Sequence, residues 1–161
     1  MLEALFERGA EAPGGGLERA DVLVFLCASA RDAEQAAAQF SELRHNADLI
    51  VVAPCGVEPP ATATQHYAIM PGSERALLYG VANILISSGW VPSASKAAHG
   101  TDFDEFARLI TSFTTDRVSG ATGLRADELW HFAQTIADGN RVSFQWLSPR
   151  ARRAMTPSER D

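Results

Sequence analysis

Two apolar runs with an alanine-rich amphipathic segment between them restrict the fold more than anything else in the chain. Val22-Leu23-Val24-Phe25-Leu26-Cys27 follows Asp21 with no polar residue inside it. A run of that kind is a strand covered on both faces. Leu49-Ile50-Val51-Val52-Ala53 repeats the pattern. Between them Ala28-Ser29-Ala30 is a turn, and Asp32 is suited to cap a helix reaching about Arg44. Ala33, Ala36, Ala37, Phe40 and Leu43 share its inner side. Asn46-Ala47-Asp48 is the polar break before the second strand. Strand, helix and strand in this order make a βαβ unit, so the strands are expected to be parallel with a right-handed crossover. The fold class this predicts is α/β, a Rossmann-like three-layer domain with a short parallel sheet flanked by helices.

Open α/β sheets bind ligands where their strands end. That directs attention to Leu49–Leu78. After the second strand, Pro54 to Thr64 holds three prolines and offers no regular element. His66 to Ile69 reads as a short extended piece. Pro71-Gly72 is a turn, and Ser73 is placed to cap a helix through about Ser87. Gly89-Trp90-Val91-Pro92 stops that helix. Thr101-Asp102-Phe103-Asp104 has the form of a capping box with Asp for Glu, opening a helix that buries Phe103, Phe106, Leu109, Ile110 and Phe113. A helical turn at 116–119 and a helix over 125–137 follow, the latter burying Leu129, Phe132, Ala133 and Ile136. Arg141 to Trp146 reads as a last strand.

The flanks read differently. Residues 1–16 form an arm ending in Pro13-Gly14-Gly15-Gly16, which lacks the preceding strand and the Gly-Lys-Ser/Thr of a phosphate loop. Residues 17–147 make the α/β domain. Residues 148–161 carry Arg150, Arg152, Arg153 and Arg160 among prolines and acids and are expected to be a disordered tail.

Charge and cysteines exclude several roles. A net charge of -6 with no basic stripe argues against a nucleic-acid partner. No apolar run is long enough for a membrane span, and Glu3 and Glu7 stand where a signal peptide carries positive charge, so a cytoplasmic protein without membrane insertion is expected. Cys27 and Cys55 are too few for a zinc site or a disulfide scaffold and read as small buried hydrophobes. His66 reads as a packed histidine, His45, His99 and His131 show no metal-ligand spacing, and no catalytic or metal-binding residue is nominated.

The order of the pieces resembles the molybdopterin-dependent oxidoreductases of the dimethyl-sulfoxide-reductase superfamily, in particular their assimilatory nitrate reductase branch. In that family one strand ends in Gly-x-Asn, a second in Asp-Pro-Arg-Arg-Thr, and Arg-Pro-Gly-Thr-Asp opens a helix. The corresponding pieces here are Cys27-Ala28-Ser29, Ala53-Pro54-Cys55, and Met70-Pro71-Gly72-Ser73-Glu74. The likeness runs over about residues 17–146. It implies a partial domain akin to the one that binds the guanosine ends of molybdopterin guanine dinucleotide. By that resemblance Ser29, Gly72, Ser73 and Glu74 are the candidate cofactor-binding residues, and other oxidoreductase subunits are the expected partners.

The departures are as informative. Guanine needs a carboxylate facing its N1 and N2 protons, and the ribose and pyrophosphate need donors. Ala53 and Cys55 stand where the family has Asp and Arg, and Cys27 and Ser29 where it has Gly and Asn. Three roles fit these residues: a split subunit contributing to cofactor binding or complex assembly, a cofactor-free scaffold of a larger redox complex, or a Rossmann-like binder of another small ligand.

Overall fold

A strand that is apolar at every position needs cover on both faces and a neighbour on both edges. Strand β1 (Val22–Cys27) has all of these. The computed structural model describes residues 20–43, 47–91 and 93–147. The N-terminal arm, the arginine-bearing tail and the side chain of Leu43 lie outside the described residues. Helix α1 (Ala30–Leu43) leads from β1 to β2 (Asp48–Pro54), and a loop then leads to β3 (Gln65–Ile69). Four helices follow: α2 (Glu74–Ser87), α3 (Ser93–Ile110), α4 (Thr115–Thr122) and α5 (Ala126–Asp138). The last strand is β4 (Val142–Leu147). The sheet order is β3-β2-β1-β4, and every pairing is parallel. The α/β fold with a parallel sheet flanked by helices is therefore as expected.

Side-chain alternation sorts the strands into two cores. Val22, Val24, Leu26, Ile50, Val52, Tyr67 and Ile69 face the helices α2–α5, where Leu77, Val81, Leu129 and Phe132 meet them. Tyr67 stacks on Phe132 with ring centroids 4.7 Å apart. Leu23, Phe25, Cys27, Leu49, Val51 and Ala53 face the other way, against Ala33 and Ala36 of α1. Burying one such aliphatic or aromatic side chain is worth roughly 1.5–3 kcal/mol. The inner residues of α1 are mostly alanines because that helix lies close on the sheet.

Parallel neighbours usually need a helix to carry the chain back to the start of the next strand. Between β2 and β3 a loop does this. Cys55 N–H donates to Ile69 at the top of β3, while Thr64 N–H and Oγ1 both reach the Leu49 carbonyl at the foot of β2 (2.8 and 3.0 Å). Val57 and Ala63 of this loop pack into the α1-side core. His66 sits on this face of β3, and its Nε2 is buried with no hydrogen-bond partner among the described residues.

Two close approaches set the remaining packing. A Cβ on Gly80 of α2 would lie 2.6 Å from a Val118 methyl of α4, so glycine lets these helices touch. A Cβ on Gly139 would lie 2.9 Å from both Val22 and Val142, where the chain enters β4 beside β1. The same entry is fastened by Asp21, whose carboxylate accepts from Asn140 N–H (2.9 Å) and Arg141 N–H (2.7 Å).

Some local expectations change. Helix α1 starts at Ala30, so Ser29 takes the cap position and Asp32 lies one turn inside. A helical segment from Ser93 precedes the expected start at Thr101, with a break at Gly100 (φ 48°). Leu109 is 58% exposed and Phe113 lies beyond the end of α3. The turn at 116–119 is a full helix, capped by Thr114 Oγ1 accepting from Arg117 N–H and closed by Gly123 at φ 80°.

Two measurements follow from these contacts. Asp21→Ala should lower unfolding stability by about 1–3 kcal/mol in urea titrations, because two strand-entry N–H groups lose a charged acceptor. Burial works to raise the Asp21 carboxyl, but the Arg141 and Asn140 N–H groups overcome it and hold it below 3.8. That contribution is present above the ordinary carboxylate value and is lost as pH falls through the lowered one. For His66, burial holds the imidazole below its usual 6.5. The unfolded chain then takes up the proton more readily, so stability is complete above 6.5 and falls as pH drops below it. The thermal midpoint of His66→Gln should be flatter than that of the parent between about pH 8 and about pH 5.

Candidate functional site

Because all four strands are parallel, their C-terminal ends share one edge of the sheet. Ser29 follows β1, Cys55 follows β2, and Gly72, Ser73 and Glu74 follow β3. The register pairs Leu26 with Val52 and Pro54 with Ile69, so these turns leave the sheet at the same level. Ser29 and the Gly72–Glu74 turn are separated by β2, roughly 10 Å apart by strand spacing. The fold thus gathers the four nominated residues on one rim, in two groups.

Each group forms its own local network. Ser29 Oγ donates to Asp32 Oδ2 (2.8 Å) and accepts from Asp32 N–H (3.3 Å). The same Asp32 carboxylate accepts from Ala28 N–H (3.1 Å). Ser29 thus caps the Asp32 N–H, and the Asp32 carboxylate reaches back past the cap to Ala28 N–H. Asp32 is only 4% exposed and lies in the first turn of α1. The sequence pattern Ser-x-x-Asp carried this signal, but Asp32 was read as the cap itself.

The second group follows a left-handed residue. Gly72 has φ 81°, a conformation that other residues enter at a cost. Its N–H donates to Glu74 Oε1 (3.3 Å). Ser73 sits at the cap position of α2, but its hydroxyl donates back to the Met70 carbonyl (2.6 Å) and makes no cap bond. Met70 N–H donates to the Thr122 carbonyl at the end of α4 (2.8 Å), which fixes the turn against the helical layer.

Between the two groups the rim is apolar or small. Ala53 is fully buried against α1 and presents nothing to the rim. The cysteines differ from one another, and neither is in a disulfide. Cys27 is buried, and burial with the nearby Asp32 charge pushes its thiol up to about 12. Cys55 is exposed, which corrects the expectation that both are buried. Among the described residues no group of three or more His, Cys, Asp or Glu side chains could hold a metal ion. No described helix is long and apolar enough to cross a membrane.

The nucleotide end of a molybdopterin guanine dinucleotide asks this rim for a guanine carboxylate and for free donors toward ribose and pyrophosphate. The Asp32 carboxylate and the Ser29 and Ser73 hydroxyls are turned to local partners. Glu74 is the exception, since Gly72 N–H engages one of its oxygens at a long distance. As a set, the residues present do not fit the group.

No family profile matches the sequence. The chain is 27% identical over 103 residues to formate dehydrogenase H of Escherichia coli, covering 64% of this chain and 14% of that protein. It is 41% identical over 69 residues to the menaquinone reductase, molybdopterin-binding-like subunit, of Nitratidesulfovibrio vulgaris, covering 43% and 9% respectively. Two nitrate reductases match at 28% and 29% identity. Acetylene hydratase from Pelobacter acetylenicus shares the fold, with a TM-score of 0.66 and 21% identity over 80% of this chain and 18% of that one. The resemblance drawn from the motifs therefore holds. The relatives include molybdopterin oxidoreductases of the dimethyl-sulfoxide-reductase family, and this chain corresponds to a small part of their length.

The rim makes a direct chemical prediction. In the native protein near neutral pH a disulfide reagent should modify Cys55 rapidly, while Cys27 should react only after unfolding. Two fast thiols would contradict the placement of Cys27 in the α1-side core.

Proposed function

We propose that this relative of the molybdopterin oxidoreductases is an assembly module of a larger redox complex, with cofactor and chemistry supplied by partner polypeptides. The observation that carries this reading is the self-satisfied rim. Apart from Glu74, the groups that a nucleotide would need are bonded to local partners around Asp32 and Met70. The fold that positions such a rim is retained, so the chain keeps the shape of a cofactor-side domain without its grip. The similarity to a subunit whose name includes molybdopterin-binding-like supports a module of this kind.

A second reading has one specific observation in its favour. The Gly72 turn at φ 81° places the Glu74 carboxylate on the rim, half-exposed, where it could accept from a guanine edge. In that reading the chain contributes one contact to a dinucleotide site completed by its partners.

Co-expression with the proteins encoded beside it separates the two. Molybdenum, tungsten and released guanine nucleotide are measured in the purified complex, for the parent chain and for Glu74→Gln. The assembly reading expects a complex whose cofactor content is unchanged by Glu74→Gln, and a chain that purifies alone without nucleotide. Stoichiometric nucleotide that is lost in Glu74→Gln would favour the second reading, and failure to enter any complex would defeat the first.

A further inference from the structure

Among the described residues, two buried side-chain atoms have no hydrogen-bond partner: Ser119 Oγ and His66 Nε2. Of these groups, the imidazole is the one that takes up a proton near neutral pH. His66 pairs with Val51 of β2, which faces the α1-side core, so its ring lies on that face of the sheet. In the tautomer with the proton on Nδ1, Nε2 is only an acceptor. A bare acceptor costs less than a bare charged donor, which is what Nε2 becomes when the ring is protonated.

The elements on this face differ in how firmly they are held. Helix α1 packs on β1 and β2, and β3 lies beyond β2 at the edge of the sheet. The 55–64 loop, which joins β2 to β3, places Val57 and Ala63 on the same face as His66. It is fastened near its two ends, by Cys55 N–H on the Ile69 carbonyl (2.9 Å) and by Thr64 on the Leu49 carbonyl. The second fastening is two residues from His66. Between them the backbone bonds are local, Val57 N–H to Pro54 and Ala63 N–H to Pro60, and Gly56, Glu58, Pro59, Ala61 and Thr62 are exposed. A segment with so few buried contacts opens at lower cost than the strands it joins.

The titratable groups on these elements are Cys55 and Glu58 of the loop, Arg31, Asp32, Glu34 and Glu42 of α1, and Asp48 of β2. None is hydrogen-bonded to the imidazole, and Asp32 is engaged at the start of α1. Burial is the influence on the His66 titration, and it favours the neutral ring.

We propose that the 55–64 loop is an acid-released flap, which protonation of His66 frees from the edge of the sheet while the sheet itself stays folded. The neutral ring keeps the flap closed, and the protonated ring gains water for Nε2 by opening it. This concerns the chain on its own and does not rest on the assembly reading above.

The test is amide hydrogen exchange of the full chain at about pH 7.5 and about pH 5.5, corrected for the intrinsic rate of each amide. Protection of the Cys55, Val57, Ala63 and Thr64 amides should fall by up to about tenfold per pH unit, the limit for one proton, while the β1 amides keep theirs. In His66→Gln the loop amides should be equally protected at both pH values, and His66→Asn serves the same purpose if His66→Gln does not fold. Glu58→Gln should keep the parent's dependence, which separates His66 from the carboxylate of the loop. The proposal is overturned by loop protection that does not change with pH in the parent, or by a dependence that persists in the His66 variant or disappears in Glu58→Gln. Equal loss in the loop and in β1 also overturns it, since that is unfolding of the whole domain.

Discussion

Strand β1 is the constraint on which the rest of the structure depends. All six of its residues are buried, with cover from α1 on one side and from the α2–α5 layer on the other. A strand so apolar cannot be an edge. It needs parallel neighbours on both sides, and the chain provides them from opposite directions, with β2 arriving through α1 and β4 returning after four helices. The return is the longer step in sequence, and it is secured at one point by the Asp21 carboxylate and by the absence of a side chain at Gly139. Parallel order then brings every strand end to one rim, so the candidate site is a consequence of how β1 is buried.

At that rim, fold and chemistry separate. The turns at the strand ends are well formed, with Gly72 left-handed and Ser29 opening a helix. The polar groups in them complete short local circuits. A carboxylate that is 4% exposed and bonded to its own helix start stabilises that helix end, and reaching outward would mean breaking those bonds. Sequence similarity over 9–15% of the relatives' length supports common ancestry with a part of those proteins.

Much of this was legible in the sequence. Continuous apolar runs announced β1 and β2, and the 3.6-residue spacing of Leu129, Phe132, Ala133 and Ile136 announced the buried face of α5. The resemblance was carried by the order of turn residues, which reports where strands stop. What was not legible depended on tertiary context. Asp32 and Ser29 are both good caps, and only the geometry of the turn decides which one holds the helix and which is buried behind it. Cys27 and Cys55 both end apolar runs, but one alternation places the first in the α1-side core and the second beyond the sheet. The helical segment at Ser93 has no apolar period to reveal it. The crossover by loop in place of a second helix shows in the sequence only as three prolines, and the burial of His66 Nε2 does not show at all.

The rim keeps its turns while the polar groups in them are engaged internally. The most direct measurement is a titration of the isotopically labelled chain with guanosine diphosphate, followed by amide chemical shifts at Ala28–Asp32 and Met70–Glu74. The account predicts no saturable shift at these amides. Saturable shifts confined to both turns, reduced together by Glu74→Gln, would contradict it.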